Sequence, residues 1–159
     1  MATFYTAQGQ LQNAEVDAKR ASGEKLHGRL RVATVQYTSD GNQAADDIIK
    51  LFFAEVPITI HPELCSVHAS AALSATAATI DIGDDSAWTH TTPDEDRYAD
   101  GIDVGAAGID LWTAPAVPAA VSSPYTTTTG GWIEAKIATL TGAAASDVVL
   151  TFKIVYSIN

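Results

Sequence analysis

Residues 130–158 read GGWIEAKIATLTGAAASDVVLTFKIVYSI, and this closing stretch decides the fold class. In its second half Leu150, Phe152, Ile154, Tyr156 and Ile158 alternate with Val149, Thr151, Lys153, Val155 and Ser157. A period of two places the first set on one face of an extended chain and the second on the other, as in a half-buried β-strand. In its first half Ile133, Ala135 and Ile137 alternate in the same way with Trp132, Glu134 and Lys136. The residues between, Thr141 to Asp147, hold Gly142 and an alanine run. The two strands are therefore expected to pair as a hairpin with a longer than minimal connection.

The same extended vocabulary recurs upstream. Residues 28–38 carry β-branched and aromatic side chains and end in the turn signal Ser39-Asp40-Gly41-Asn42, which predicts a first strand. In AADDIIKLFFAEVP (44–57), Ile49, Leu51 and Phe53 alternate with Lys50 and Phe52 before Pro57. Helix formers keep a helix open there, but the Ile48-Ile49 and Phe52-Phe53 pairs favour an extended segment. Short extended pieces follow at 58–62, 65–73 and 76–83; in the last, Ile80 and Ile82 oppose Thr79 and Asp81. Two long polar connections are expected, at 83–100 and at 113–131, the second interrupted by prolines that bar a central strand. Many short strands without alternating helices point to an all-β fold, a single antiparallel β-sandwich of jelly-roll-like type over residues 28–159. Residues 1–27 show neither helical stripe nor strand alternation and read as an extended N-terminal arm ordered by a partner.

Length and composition agree with one domain and an arm. No run of about 18 apolar residues is present, so no membrane-spanning helix is expected, and the first residues lack the basic-then-apolar layout of a secretory signal. The chain thus reads as a soluble protein made in the cytoplasm. Its formal net charge is −10, unevenly spread. Residues 1–31 hold five bases against three acids, while the remainder holds four against sixteen. Such an acidic body repels nucleic acid, whose binding requires phosphate neutralisation by Lys and Arg. The mildly basic leader, with Lys19, Arg20 and Lys25, suits an acidic protein surface instead. Cys65 has no second cysteine to pair with and reads as a buried structural thiol.

Residues 81–110 concentrate nine carboxylates around Arg97. Calcium needs six to eight convergent oxygens, yet DIGDDSAWTHTTP lacks the alternating acids, central glycine and terminal glutamate of a helix-loop-helix calcium loop. Glycoside hydrolysis needs two correctly spaced carboxyls, which sequence does not supply, and Trp88 and Trp112 are able to stack on sugar rings or to seal a core or interface. His27, His61, His68 and His90 form no metal-binding spacing, and no nucleophile elbow or phosphate loop occurs. No catalytic, cofactor-binding or metal-binding residue is assigned. The acidic stretch reads mainly as a solvated loop rim, with Asp96, Arg97 and Tyr98 placed to make a structural or intersubunit contact.

Three stretches, in order, resemble virion structural proteins of tailed bacteriophages: AADDIIKLFFAEVP, then ATIDIGDDS with DEDRYADGIDVGAAG, then GGWIEAKIATLTGAAASDVVLTFKIVYS. The likeness spans roughly residues 44–158. It implies a non-enzymatic β-sandwich on or in the virion, of the capsid decoration (cement) type, bound to the outside of a lattice of major capsid protein as a homo-oligomeric trimer or dimer. A tail, neck or fibre component, or a free carbohydrate- or calcium-binding module, stays open beside it. Interaction residues are then expected among Lys19, Arg20 and Lys25 of the arm and Trp88, Asp96, Arg97, Tyr98 and Trp112 of the body, with no cofactor, nucleic acid or membrane involved.

Overall fold

The computed structural model describes residues 30–84, 94–112 and 131–158. The arm expected over residues 1–27 lies outside them. Within them run the strands β1 (Arg31–Asp40), β2 (Ile48–Ala54), β3 (Ile58–Ile60), β4 (Ser66–Ala69), β5 (Ala77–Asp84), β6 (Asp94–Asp103), β7 (Gly108–Leu111), β8 (Gly131–Thr141) and β9 (Ser146–Ile158). One sheet has the order β1-β9-β4-β7, with β3 added on β9; the other has the order β2-β8-β5-β6. Every pair among these strands is antiparallel. With β3 set aside, this order is the paired Greek-key path of a jelly roll. The β-sandwich expected from the alternation is the observed fold.

The core lies between the sheets. Ile80 and Ile82 of β5 and Ile133 and Ile137 of β8 meet Val67 of β4 and Leu150, Phe152 and Ile154 of β9, all at or near zero exposure. Each such side chain contributes about 1.5–3 kcal/mol of transfer free energy. The inward set of β9 is the one its alternation predicts, although Tyr156 is only partly buried and Ile158 is exposed at the strand end.

β3 and β4 are two halves of one strand position, since β3 pairs with Tyr156–Ile158 of β9 and β4 with Leu150–Lys153. The break is a single 3-10 turn at Pro62–Leu64, opened by a proline with no N–H to donate. Opposite the gap, the Val155 carbonyl accepts the His61 N–H at 2.9 Å, and the Val155 N–H donates to Cys65 Sγ at 3.2 Å. The buried thiol thus stands in for a missing ladder partner, and burial pushes its pKa up to about 11.

Three local expectations need correction. The closing strands do not form a hairpin: β8 belongs to one sheet and β9 to the other, and their apolar faces look at each other across the core. The connection between them, 142–145, runs from sheet to sheet. Packed sheets lie about 10 Å apart, a gap that four extended residues span at roughly 3.3 Å each. The arch is tied down by the Ala145 N–H to Leu73 O (2.8 Å), a Ser74–Ala144 bridge, and Ser39 Oγ, which donates to Ala145 O and accepts the Val148 N–H.

In the polar connection expected at 83–100 every described residue is strand, because β5 runs to Asp84 and β6 starts at Asp94. Poor β propensity in DEDRYADGID is overridden by burial of Arg97, Tyr98 and Ala99. The strand also lies close over Gly83, where an added Cβ would sit 2.0 Å from the Asp94 carbonyl oxygen. In β2 the segment is extended rather than helical, but the alternation breaks: a bulge between Lys50 and Phe52 turns Ala54 inward and leaves Phe53 outside.

Candidate functional site

Three regions carry polar or apolar groups beyond what folding requires, and each arises from strand register. The first is buried. Alternation along β5 carries Asp84 inward after Ile80 and Ile82, leaving a carboxylate 1% exposed. β6 answers with Arg97, whose Nε donates to Asp84 Oδ2 at 2.7 Å, and with Tyr98, whose hydroxyl donates to the same oxygen at 2.8 Å. Asp94 adds a weaker contact to Arg97 Nη1 at 3.4 Å. Burial first, and the Asp84 charge second, hold the Tyr98 phenol well above its ordinary pKa. This knot clamps β6 to β5.

The second region is the outer face of the β2-β8-β5-β6 sheet. Lys50 pairs with the buried Glu134 across β2 and β8. Lys136 Nζ donates to Glu95 Oε2 at 2.7 Å and meets Asp46 Oδ1 at 3.0 Å, contacts that raise its pKa, the hydrogen bond to Glu95 foremost. Asp81 is shifted up, chiefly by burial, while the Gly101 N–H bound at 2.8 Å acts against that shift. Asp96 is shifted up chiefly by hydrogen bonding with Asp94. The carboxylates here are spread along the sheet, with Glu95 and Asp46 sharing Lys136. Among the described residues no three His, Cys, Asp or Glu side chains converge to hold a metal.

The third region faces outward and carries exposed apolar side chains. Register aligns two cross-strand rows on the outer face of the other sheet, Thr34–Lys153–Ser66–Leu111 and Gln36–Thr151–His68–Ile109. Neither row holds a carboxylate, in a chain with nineteen. Ile109 and Leu111 on edge strand β7 are 71% and 65% exposed. At one end of the sandwich, Phe53 and Trp132 lie opposite each other in β2 and β8 and stack edge to face at 5.5 Å. Beside them a groove of about 240 Å³ runs between the sheets, its lining including Phe52, Phe53, Val56, Tyr156 and Ile158 with the charged Arg31 and Glu55. Exposed apolar groups gathered in this way are the chemistry of contact surfaces in general.

The residues singled out in the sequence are distributed differently. Asp96 is exposed, whereas Arg97 and Tyr98 are spent inside the Asp84 knot. Trp112 is 4% exposed, bonded through its backbone N–H to Cys65 O at 3.3 Å, and its indole N–H has no partner among the described residues. Lys19, Arg20, Lys25 and Trp88 lie outside the described residues. Sequence reasoning missed Phe53, Val56, Ile109 and Leu111. Trp132 did carry a signal: it stands on the polar side of its strand's alternation, where a large aromatic has no core to enter.

No family model matches the chain, and no curated protein is similar to it. Among solved structures, it resembles a chain in the capsid of Ralstonia phage GP4 at TM-score 0.60 and 16% identity, over 83% of this chain and 86% of that one. It also resembles a chain in the cyanophage Pam1 capsid asymmetric unit at TM-score 0.54 and 17% identity, over 82% of this chain and 85% of that one. At such identities the likeness is one of fold.

Proposed function

We propose that this chain is a structural protein of a bacteriophage virion, of the decoration or cement type, which binds the outside of a shell of major capsid protein and stabilises it. The observation that carries the reading is the likeness to chains from two phage capsids, matched over more than four-fifths of both partners. The distribution of side chains supports it. The two carboxylate-free rows on the outer face of the β1-β9-β4-β7 sheet, with Ile109 and Leu111 at its edge, dock flat on protein without burying unpaired carboxylates. The opposite sheet, with Asp81, Glu95, Asp96 and Asp100, faces solvent and keeps free subunits apart through their shared negative charge.

Quantitative mass spectrometry of purified virions tests this reading directly. A decoration protein is expected at a copy number approaching that of the capsid protein, and the purified chain is expected to co-sediment with undecorated heads. Recovery at only a few to tens of copies, with no binding to heads, would instead place the chain in the tail or neck. Substituting Ile109→Asp and Leu111→Asp introduces two charges on the proposed docking face and should abolish co-sedimentation while leaving the fold intact.

A further inference from the structure

We propose that the groove at the end of the sandwich receives the N-terminal segment, residues 1–29, of a second copy of this chain. Phe52 and Tyr156 stack at 5.7 Å in the groove, and Phe53, Val56 and Ile158 around it are 51%, 44% and 37% exposed. Exposed apolar side chains gathered around a concave site mark a contact surface. Residues 1–29 enter β1 at this end, beside the groove residue Arg31, as residues 113–130 enter β8 at Gly131 opposite Ala54. β1 pairs antiparallel with β9, Arg31 opposite Tyr156, so the N-terminal end of β1 points past Ile158 and off the end of the sandwich. A segment directed that way reaches an identical groove on a neighbour without first reversing its course. Twenty-nine residues extend to roughly 95 Å at about 3.3 Å each, ample to cross to another subunit.

The segment also has fitting chemistry. It carries Phe4, Tyr5, Leu11, Val16 and Leu26 as apolar anchors, and its four bases against three acids give it a net charge of +1. The remainder of the chain holds five bases against sixteen acids, a net −11, so body-to-body contact between copies is opposed whereas segment-to-body contact is not. Reciprocal exchange of the segment between two copies gives a two-fold dimer, and one-way donation from copy to copy closes into a ring when the rotation between them permits. This association belongs to the protein in solution and does not depend on a capsid, so it stands or falls apart from the virion reading.

The test uses the full chain carrying a photo-crosslinking benzoylphenylalanine in place of Val56, mixed as equal parts unlabelled and nitrogen-15-labelled protein. After illumination, crosslinked peptides are expected to join position 56 to residues 1–29, and about half of them to pair a light with a heavy copy. Pairs of one isotope alone mean that the segment folds back on its own groove, and overturn the exchange. Crosslinks to another body surface, or none at all, overturn the segment as occupant. In parallel, the double substitution Phe53→Ser, Val56→Ser, checked for folding by circular dichroism, should weaken self-association by roughly tenfold or more in sedimentation equilibrium. Unchanged association in that variant refutes the groove as its seat.

Discussion

Replacing Arg97 by Met removes the cation from a carboxylate that has almost no access to water. Asp84 is 1% exposed and Arg97 8%, and their contact of 2.7 Å is joined by the Tyr98 hydroxyl at 2.8 Å. Met has a similar reach and stays apolar, so the loss comes mainly from stranding the charge. Removing one partner of a buried pair typically costs 3–5 kcal/mol. Tyr98 still donates to Asp84, a bond to a charged acceptor worth about 1.5–3 kcal/mol, which places the expected loss at the lower end, about 3 kcal/mol. For a chain of this size that corresponds to a fall in Tm of roughly 6–12 °C, measurable by calorimetry at pH 7. A loss below about 1 kcal/mol, the range of an exposed ion pair, would refute the buried-pair account.

Gly83→Ala brings a Cβ within 2.0 Å of the Asp94 carbonyl oxygen and 2.6 Å of Glu95 Cα, so the start of β6 must lift from β5. A loss of about 1–3 kcal/mol is expected, with faster amide exchange at Asp94–Tyr98 as the local readout. Alkaline titration should destabilise the protein, because Cys65, raised from 9.0 to about 11, and Tyr98, raised above 10, both favour the folded state only while protonated. The Cys65 contribution is present below pH 9 and is lost towards pH 11, about 2–3 kcal/mol in all, and Cys65→Ala should flatten that part of the urea-melt profile. Phe152→Ala, at zero exposure, should cost about 3–5 kcal/mol, whereas Phe53→Ser, half exposed, should cost under about 1 kcal/mol; equal losses would mean that Phe53 is part of the core.

Strand content was legible because local alternation is a local property. Leu150, Phe152 and Ile154, like Ile80 and Ile82, point inward as their spacing requires. What alternation leaves open is the partner. Trp132–Leu140 and Val148–Ile158 both present one apolar face, and that is equally true of neighbours in one sheet and of strands facing each other across two. The candidate surfaces were less legible still. Arg97 and Tyr98 read as residues of a structural or intersubunit contact, and register turns them onto Asp84, a structural partner that the acidic run did not single out. Phe53 looked like core, yet a one-residue bulge turns it to solvent, and such a slip reverses the faces of every later residue in the strand.

By itself, then, the sequence determined an all-β chain, the inward set of its last strand, the buried thiol at Cys65 and the uneven charge, each of which rests on neighbours in the chain. Only the tertiary structure decided that β8 and β9 oppose rather than pair, that Asp84, Arg97 and Tyr98 form one buried knot, and that Phe53, Val56 and Ile158 gather around a groove. Those features join residues up to about a hundred positions apart, and the energies that select among such pairings belong to contacts no local pattern contains.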